Sequence, residues 1–366
     1  MLSKPEENLI KIYEKSFREN WDLEAVTDYG TSNTLTYAQM AENVAKLHLL
    51  FKQAGIGEGD RIAVMGKNNA NWVTTFLATV TYGAIIVPIL QDFKSNDAIH
   101  IVNHSESKLL FITDLIWENI DAEQVPELRA VLSLNNMDMI LSRLPMEQAV
   151  DKMTIEDLFA EAYPNGFSKD NVVYIERSNA ELASINYTSG TTGFSKGVML
   201  TVNNVTANVA FAILYKFHYR GSRVLGILPL AHAFGCAFDM LTPLATGSHI
   251  TLLGKLPAAP ILLKALKDVK PDLLLTVPLL IEKIVKGKVM PTLEKQPVKT
   301  LVKIPLLNKI IYKKVRTQLM DAFGGALTEL IMGGAALNSD VEKLLKKINP
   351  VFTAEDRKIT AGIVQS

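Results

Sequence analysis

The chain has 366 residues, 48% of them hydrophobic and 21% charged, with 38 basic and 38 acidic side chains in balance. This length exceeds what one core usually serves, so two or more substructures are expected, and the hydrophobic content excludes a disordered chain. Zero net charge removes any global electrostatic reason to expect nucleic acid as a partner.

The opening MLSKPEENLIKIYEKSF lacks the apolar run of a secretory signal, so a cytoplasmic protein is expected. Residues 37–54 place Met40, Val44, Leu47 and Phe51 at helical spacing, which predicts an amphipathic helix closed by GIGEGD. RIAVM then reads as a strand, NWVTTFLATVTY as a helix, AIIVPIL as a strand, SNDAIHIVNHS as a helix and KLLFIT as a strand. Alternation at this spacing predicts an α/β fold, and a fully apolar strand such as AIIVPIL suits a parallel sheet covered on both faces. Residues 68–91 carry no charge, but three Asn, several Thr, Gly83 and Pro88 argue for buried helix and strand rather than a membrane span.

A polar stretch at 160–182 precedes a second alternating section, and the boundary is placed near residue 180. There ASINY, RVLGILPL, HITLL and DLLLTV read as strands, and NNVTANVAFAILYKF and PAAPILLKALKDV as helices. Val224 to Gly254 is interrupted by Asp239, Pro229 and Pro243, which is too broken to span a bilayer. Cys236 is the only cysteine, which excludes an intrachain disulfide and a cysteine metal cluster.

Between ELASINY and GVMLT lies TSGTTGFSK, residues 188–196, dense in glycine and hydroxyls. Glycine tolerates the positive φ that turns several N–H groups toward one point, and Lys196 adds a cation, so the stretch reads as a phosphate cradle or as an ordinary surface turn. A Walker loop is excluded: counted from Gly190, Ser195 stands where Gly is required and Gly197 where a magnesium-binding hydroxyl is required.

The order YTSGTTGFSKG resembles the phosphate-binding signature of the adenylate-forming superfamily, which includes acyl-CoA synthetases, luciferases and peptide-synthetase adenylation domains. The family usually has Pro at the place of Ser195. LTYAQM, GIGEGDRIAVMGKNNANW, LPLAHAFG and MGGAAL extend the resemblance over nearly the whole chain, and LPLAH with PDLLLTVPLLIEKIV is most similar to long-chain fatty acid–CoA ligases. The resemblance implies the large N-terminal domain of that fold. It would comprise two αβ subdomains with mostly parallel sheets, at 1–180 and 181–348.

What the resemblance implies about chemistry is specific. A fatty acid carboxylate attacks the α-phosphate of ATP, pyrophosphate leaves, and CoA displaces AMP from the acyl-adenylate. Thr188, Ser189, Gly190, Thr191, Thr192 and Gly193 would hold the phosphates, Thr188 would also contact Mg2+, and Lys196 and His232 would be catalytic. Gly333, Gly334 and Ala335 would lie along adenine, with Asn338 or Ser339 capping the next helix; Val277, Pro278 and His232 would border the acyl group. On local sequence alone His232 reads equally well as a hydrogen-bonded core histidine, and the Gly-Gly pair as a plain turn.

Residues 281–316 hold nine lysines and one arginine against Glu282 and Glu294, an excess of eight positive charges. They read as solvated helix faces or as a surface for anionic lipid or CoA phosphates. After residue 348 the family continues with a Tyr-Gly-x-Thr-Glu signature whose glutamate holds magnesium, and later with a small C-terminal domain carrying a catalytic lysine. Residues 349–366, NPVFTAEDRKITAGIVQS, are unlike it. These 366 residues are therefore expected to form acyl-CoA poorly or not at all, and a catalytically silent ATP- and fatty-acid-binding module is the competing expectation.

Overall fold

The computed structural model describes residues 8–31, 33–144, 154–188, 195–254 and 258–348; the tail at 349–366 lies outside them. The chain divides into two compact units, residues 1–221 with 229–255, and residues 222–228 with 256–366. In chain order the strands are β1 (Glu24–Asp28), β2 (Thr34–Thr36), β3 (Arg61–Met65), β4 (Ile85–Ile89), β5 (Ser107–Ile112), β6 (Ala130–Ser133) and β7 (Met139–Ser142). They continue with β8 (Leu182–Thr188), β9 (Lys196–Thr201), β10 (Arg223–Gly226), β11 (His249–Leu252), β12 (Leu273–Thr276) and β13 (Glu329–Met332).

In the first unit a seven-stranded sheet runs β7-β6-β5-β3-β4-β8-β9, parallel except for the outer pairs β6/β7 and β8/β9. In the same unit β11 pairs in parallel with β1, and β2 pairs antiparallel with β1. In the second unit β12 pairs in parallel with β10 and β13. The fold is thus α/β with mostly parallel pairing, as the alternation predicts. Residue 180 falls inside the first unit, because β8 pairs with β4 and so joins its sheet.

Local sequence explains the principal helices. Tyr37–Gln53 starts at a capping box in which Thr36 and Gln39 exchange hydrogen bonds of 3.2 and 2.9 Å, and it buries the Met40–Val44–Leu47–Phe51 stripe. Ala70–Tyr82 is capped by Asn69, whose side chain accepts from the Trp72 N–H at 2.8 Å. It ends at Gly83, where φ is +100°. Its Thr74, Thr79 and Thr81 are buried, and each hydroxyl donates to a carbonyl four residues back, at 2.7–2.8 Å. An uncharged stretch thereby serves as a core helix in which these three hydroxyls are satisfied, while Trp72 Nε1 and Thr75 Oγ1 are buried without a partner.

The junction of this helix with the sheet is held by Arg177, only 8% exposed. Its guanidinium donates to Val80 O at 3.3 Å, Ala84 O at 3.1 Å and Leu182 O, and to the Glu181 carboxylate at 3.2 Å. Removing it takes a donor from three backbone carbonyls, of which Val80 O keeps the Gly83 N–H at 3.4 Å; a buried carbonyl left without a donor costs about 1–3 kcal/mol. Arg177→Leu is expected to lower unfolding free energy by about 3–5 kcal/mol in urea titrations; a loss below about 1 kcal/mol would sink this account.

His218 is 3% exposed, with Nε2 lying 3.3 Å from Phe238 O. Burial pushes its pKa down from 6.5 to about 4. The unfolded chain takes up that proton near its ordinary pKa and the folded chain does not. Its contribution is therefore complete above 6.5 and is lost as pH falls toward about 4. The expected slope is about 1.4 kcal/mol per pH unit. Urea midpoints across this range should fall less steeply in His218→Gln than in the parent chain.

Candidate active site

The glycine-rich segment is the connection of a β-hairpin. β8 and β9 pair with Tyr187 opposite Gly197 and with Thr188 opposite Lys196, and both members of that last pair are exposed. Ser189, Gly190, Thr191, Thr192 and Gly193 lie outside the described residues. What the structure fixes is the mouth of the loop: a hydroxyl and an ammonium side by side at the end of β8.

Alternation along β8 separates two environments. Ile185 and Tyr187 pack with the core cluster that includes Met65, Ile89 and Ile112. Tyr187 Oη shares a 2.7 Å hydrogen bond with His104 Nδ1, and burial raises the Tyr187 phenol above its ordinary pKa, so it keeps its proton. Ser184 and Asn186 instead line a cavity of about 340 Å³ with Asn204, Ala233 and Cys236. Burial pushes the Cys236 thiol up to about 12, so it is not a nucleophile at neutral pH.

His232 is exposed, which overturns the alternative of a satisfied core histidine. It caps the helical turn that starts at Ala233, with Nδ1 accepting from the Phe234 N–H at 3.3 Å. Nδ1 is therefore the unprotonated nitrogen in the neutral ring. The approach to it is set by Asn68, whose side chain accepts from the Leu230 N–H at 3.0 Å and whose own N–H donates to Gly254 O at 3.1 Å. Sequence reading missed this role, although the asparagine run at 68–71 is itself a capping signal.

In the second unit Asp272 fastens the starts of three strands. It accepts from Arg223 N–H at 2.7 Å through its side chain, and from Thr328 N–H at 2.8 Å and Thr328 Oγ1 at 2.8 Å through its carbonyl. The opposite ends of β12 and β13 bring Val277 and Pro278 beside Gly333, Gly334 and Ala335: Thr276 pairs with Met332, and Gly333 N–H donates to Thr276 O at 3.2 Å. Gly334 has φ +84° and open space around it, and Ala335 is exposed. Asn338 caps the helix Ser339–Ile348, accepting from Asp340 and Val341 N–H at 3.0 and 3.3 Å. Its own N–H donates to Glu282 at 2.9 Å, which anchors the loop to the helix Pro278–Ile284. Glu282 was visible in sequence only as a charge. The carboxyl ends of parallel strands are where open α/β sheets bind ligands.

The residues expected to serve one reaction are thus found in two units: Thr188, Lys196 and His232 in the first, and Val277, Pro278, Gly333, Gly334 and Ala335 in the second.

Comparison with known proteins is consistent in direction. The AMP-binding enzyme family matches residues 13–355. Long chain acyl-CoA synthetase 1 of Arabidopsis thaliana is 25% identical over 355 residues, covering 89% of this chain and 52% of that protein. The medium-chain fatty-acid–CoA ligase of Escherichia coli K12 is 26% identical over 255 residues, covering 67% and 42%. A red-emitting luciferase from Phrixothrix hirtus superposes with a TM-score of 0.71 over 93% of this chain and 58% of its own, at 18% identity, which shows the fold alone. The chain spans about half the length of the curated relatives it matches.

Gly197 is closely packed against the facing strand. A Cβ there would stand 2.9 Å from Ile185 Cγ2 and 3.2 Å from Tyr187 Cζ, and Tyr187 is held by His104. Gly197→Ala is expected to cost about 1–3 kcal/mol by overpacking, read from thermal or urea unfolding, and Tyr187→Ala in the same chain should recover part of it.

Proposed function

Because this chain belongs to the AMP-binding enzyme family, we propose that it is the ATP- and acyl-binding part of a ligase. That ligase activates a long-chain fatty acid as acyl-AMP and then as its CoA thioester. The observation that carries this reading is the hairpin mouth, where Thr188 and Lys196 face each other in the open at the end of β8. A carboxylate and a triphosphate repel, so the reaction needs donors aimed at phosphate rather than a protein nucleophile. Lys196 supplies a point charge beside the Thr188 hydroxyl. His232, exposed at a helical turn, would border the reacting carboxylate. The loop Gly333–Ala335 offers an open backbone ledge for adenine, and Val277 and Pro278 border the acyl group. Long-chain specificity rests on the likeness of LPLAH and PDLLLTVPLLIEKIV to long-chain ligases, and a long-chain relative aligns over 89% of this chain.

Magnesium, when bound, neutralises phosphate charge as a Lewis acid. Among the described residues Thr188 offers it a hydroxyl, and no group of three or more His, Cys, Asp or Glu gathers to hold a metal. This donor set fits phosphate oxygens better than it fits the ion. It also favours a second reading, a module that binds nucleotide and fatty acid without turnover.

Calorimetry with Mg–ATP and a fatty acid, alongside a thioester assay, separates the two. We expect these 366 residues to bind ATP while forming thioester far more slowly than an intact ligase. Lys196→Ala should weaken ATP binding about 10- to 100-fold, the worth of one charge-assisted hydrogen bond. His232→Ala should leave ATP affinity unchanged and lower pyrophosphate exchange in a chain that supports it. No heat on adding Mg–ATP, or equal heats for Lys196→Ala, would remove the hairpin from the site.

A further inference from the structure

The helix Pro305–Ala322 in the second unit has two unlike sides. On one side Val315 and Leu319 are buried, and the helix packs on Ala259–Val269 and Ser339–Ile348. Arg316 fastens it there, donating from Nε to Ile348 O at 3.0 Å. On the other side large apolar groups stand in solvent: Leu306 is 78% exposed, Ile310 65%, and Ile304, just before the helix, 45%. Leu306, Ile310 and Lys313 follow at spacings of four and three residues, which makes them one stripe. Lys303, Lys309 and Lys314 are exposed close to it in sequence. From Lys295 to Met320 the sequence has six lysines, one arginine and no carboxylate.

Single exposed apolar side chains are ordinary on a protein surface. Three within seven residues, ringed by uncompensated cations, have the composition of an interfacial helix, whose apolar tips enter a bilayer while lysine stems reach back to the phosphates. Self-association through this face is disfavoured, since a two-fold contact would set the lysines of one copy against those of the other. No helix among the described residues is long and apolar enough to cross a membrane, so the contact lies on a surface.

We propose that this face docks on an anionic phospholipid surface, with Leu306 and Ile310 beneath the headgroups and Lys303, Lys309, Lys313 and Lys314 at the level of their phosphates. The contact is peripheral and reversible, and it weakens with salt as surface charges are screened.

Co-sedimentation of the purified chain with vesicles tests it, using phosphatidylcholine alone and phosphatidylcholine mixed with phosphatidylserine. Binding should be at least about tenfold stronger to the mixed vesicles and fall between about 0.1 M and about 0.5 M salt. Each Lys→Gln change among the four should weaken it about fivefold. Leu306→Ser combined with Ile310→Ser should weaken it about tenfold or more without moving the melting temperature, because both side chains are exposed. Equal binding to both vesicle types overturns the proposal, as does unchanged binding of the double serine variant. So does a wild-type dimer in sedimentation velocity that the double variant abolishes, since that assigns the face to a second copy.

Discussion

The guanidinium of Arg177 is the point on which the first unit's arrangement turns. A cation buried to 8% exposure loses most of its hydration, and that loss is offset only if every donor direction finds an acceptor. Here the acceptors are the last turn of the helix Ala70–Tyr82, the residue preceding β4, and the first residue of β8. One side chain thus fixes the helix end and two neighbouring strands relative to each other. The consequence is felt at the far end of the strand: β8, once set parallel to β4, delivers Tyr187 to His104 and leaves Thr188 at the open end, opposite Lys196. The polar end of the strand is placed by a polar clamp at its beginning.

The second unit solves the same problem with two acidic residues, one of which uses both its side chain and its carbonyl. Asp272 gathers the beginnings of β10, β12 and β13, and Glu282 holds the backbone of the loop that follows β13. Neither residue touches the Gly333–Ala335 ledge, yet both determine where it lies. The carboxyl ends of parallel strands are where an open α/β sheet receives a ligand, and there Gly334 and Ala335 are exposed.

Much of this was legible in the amino-acid sequence, and what was not has physical causes. The apolar stripe of Met40, Val44, Leu47 and Phe51 and the fully buried β4 are written in local periodicity, which needs no knowledge of partners. RVLGILPL reads as one strand, but β10 ends at Gly226; further on, Pro229 has no N–H to give and the Leu230 N–H is taken by Asn68. That bond joins residues 162 positions apart, and no local pattern announces it. The same is true of β8, whose partner β4 lies across the polar stretch that suggested a boundary near residue 180. His232 shows the converse: apolar neighbours in sequence imply burial, whereas its position at the start of a helical turn leaves it in the open.

Cys236 carries one more consequence. It is the sole thiol of the chain, it is buried, and its proton is held so firmly that thiolate is scarce at neutral pH. Among the described residues this chain therefore offers an electrophile no reactive thiolate at neutral pH. Cys236 also lines the cavity beside Ser184 and Asn186, so the slow alkylation expected of so weakly acidic a thiol would report on access to that cavity.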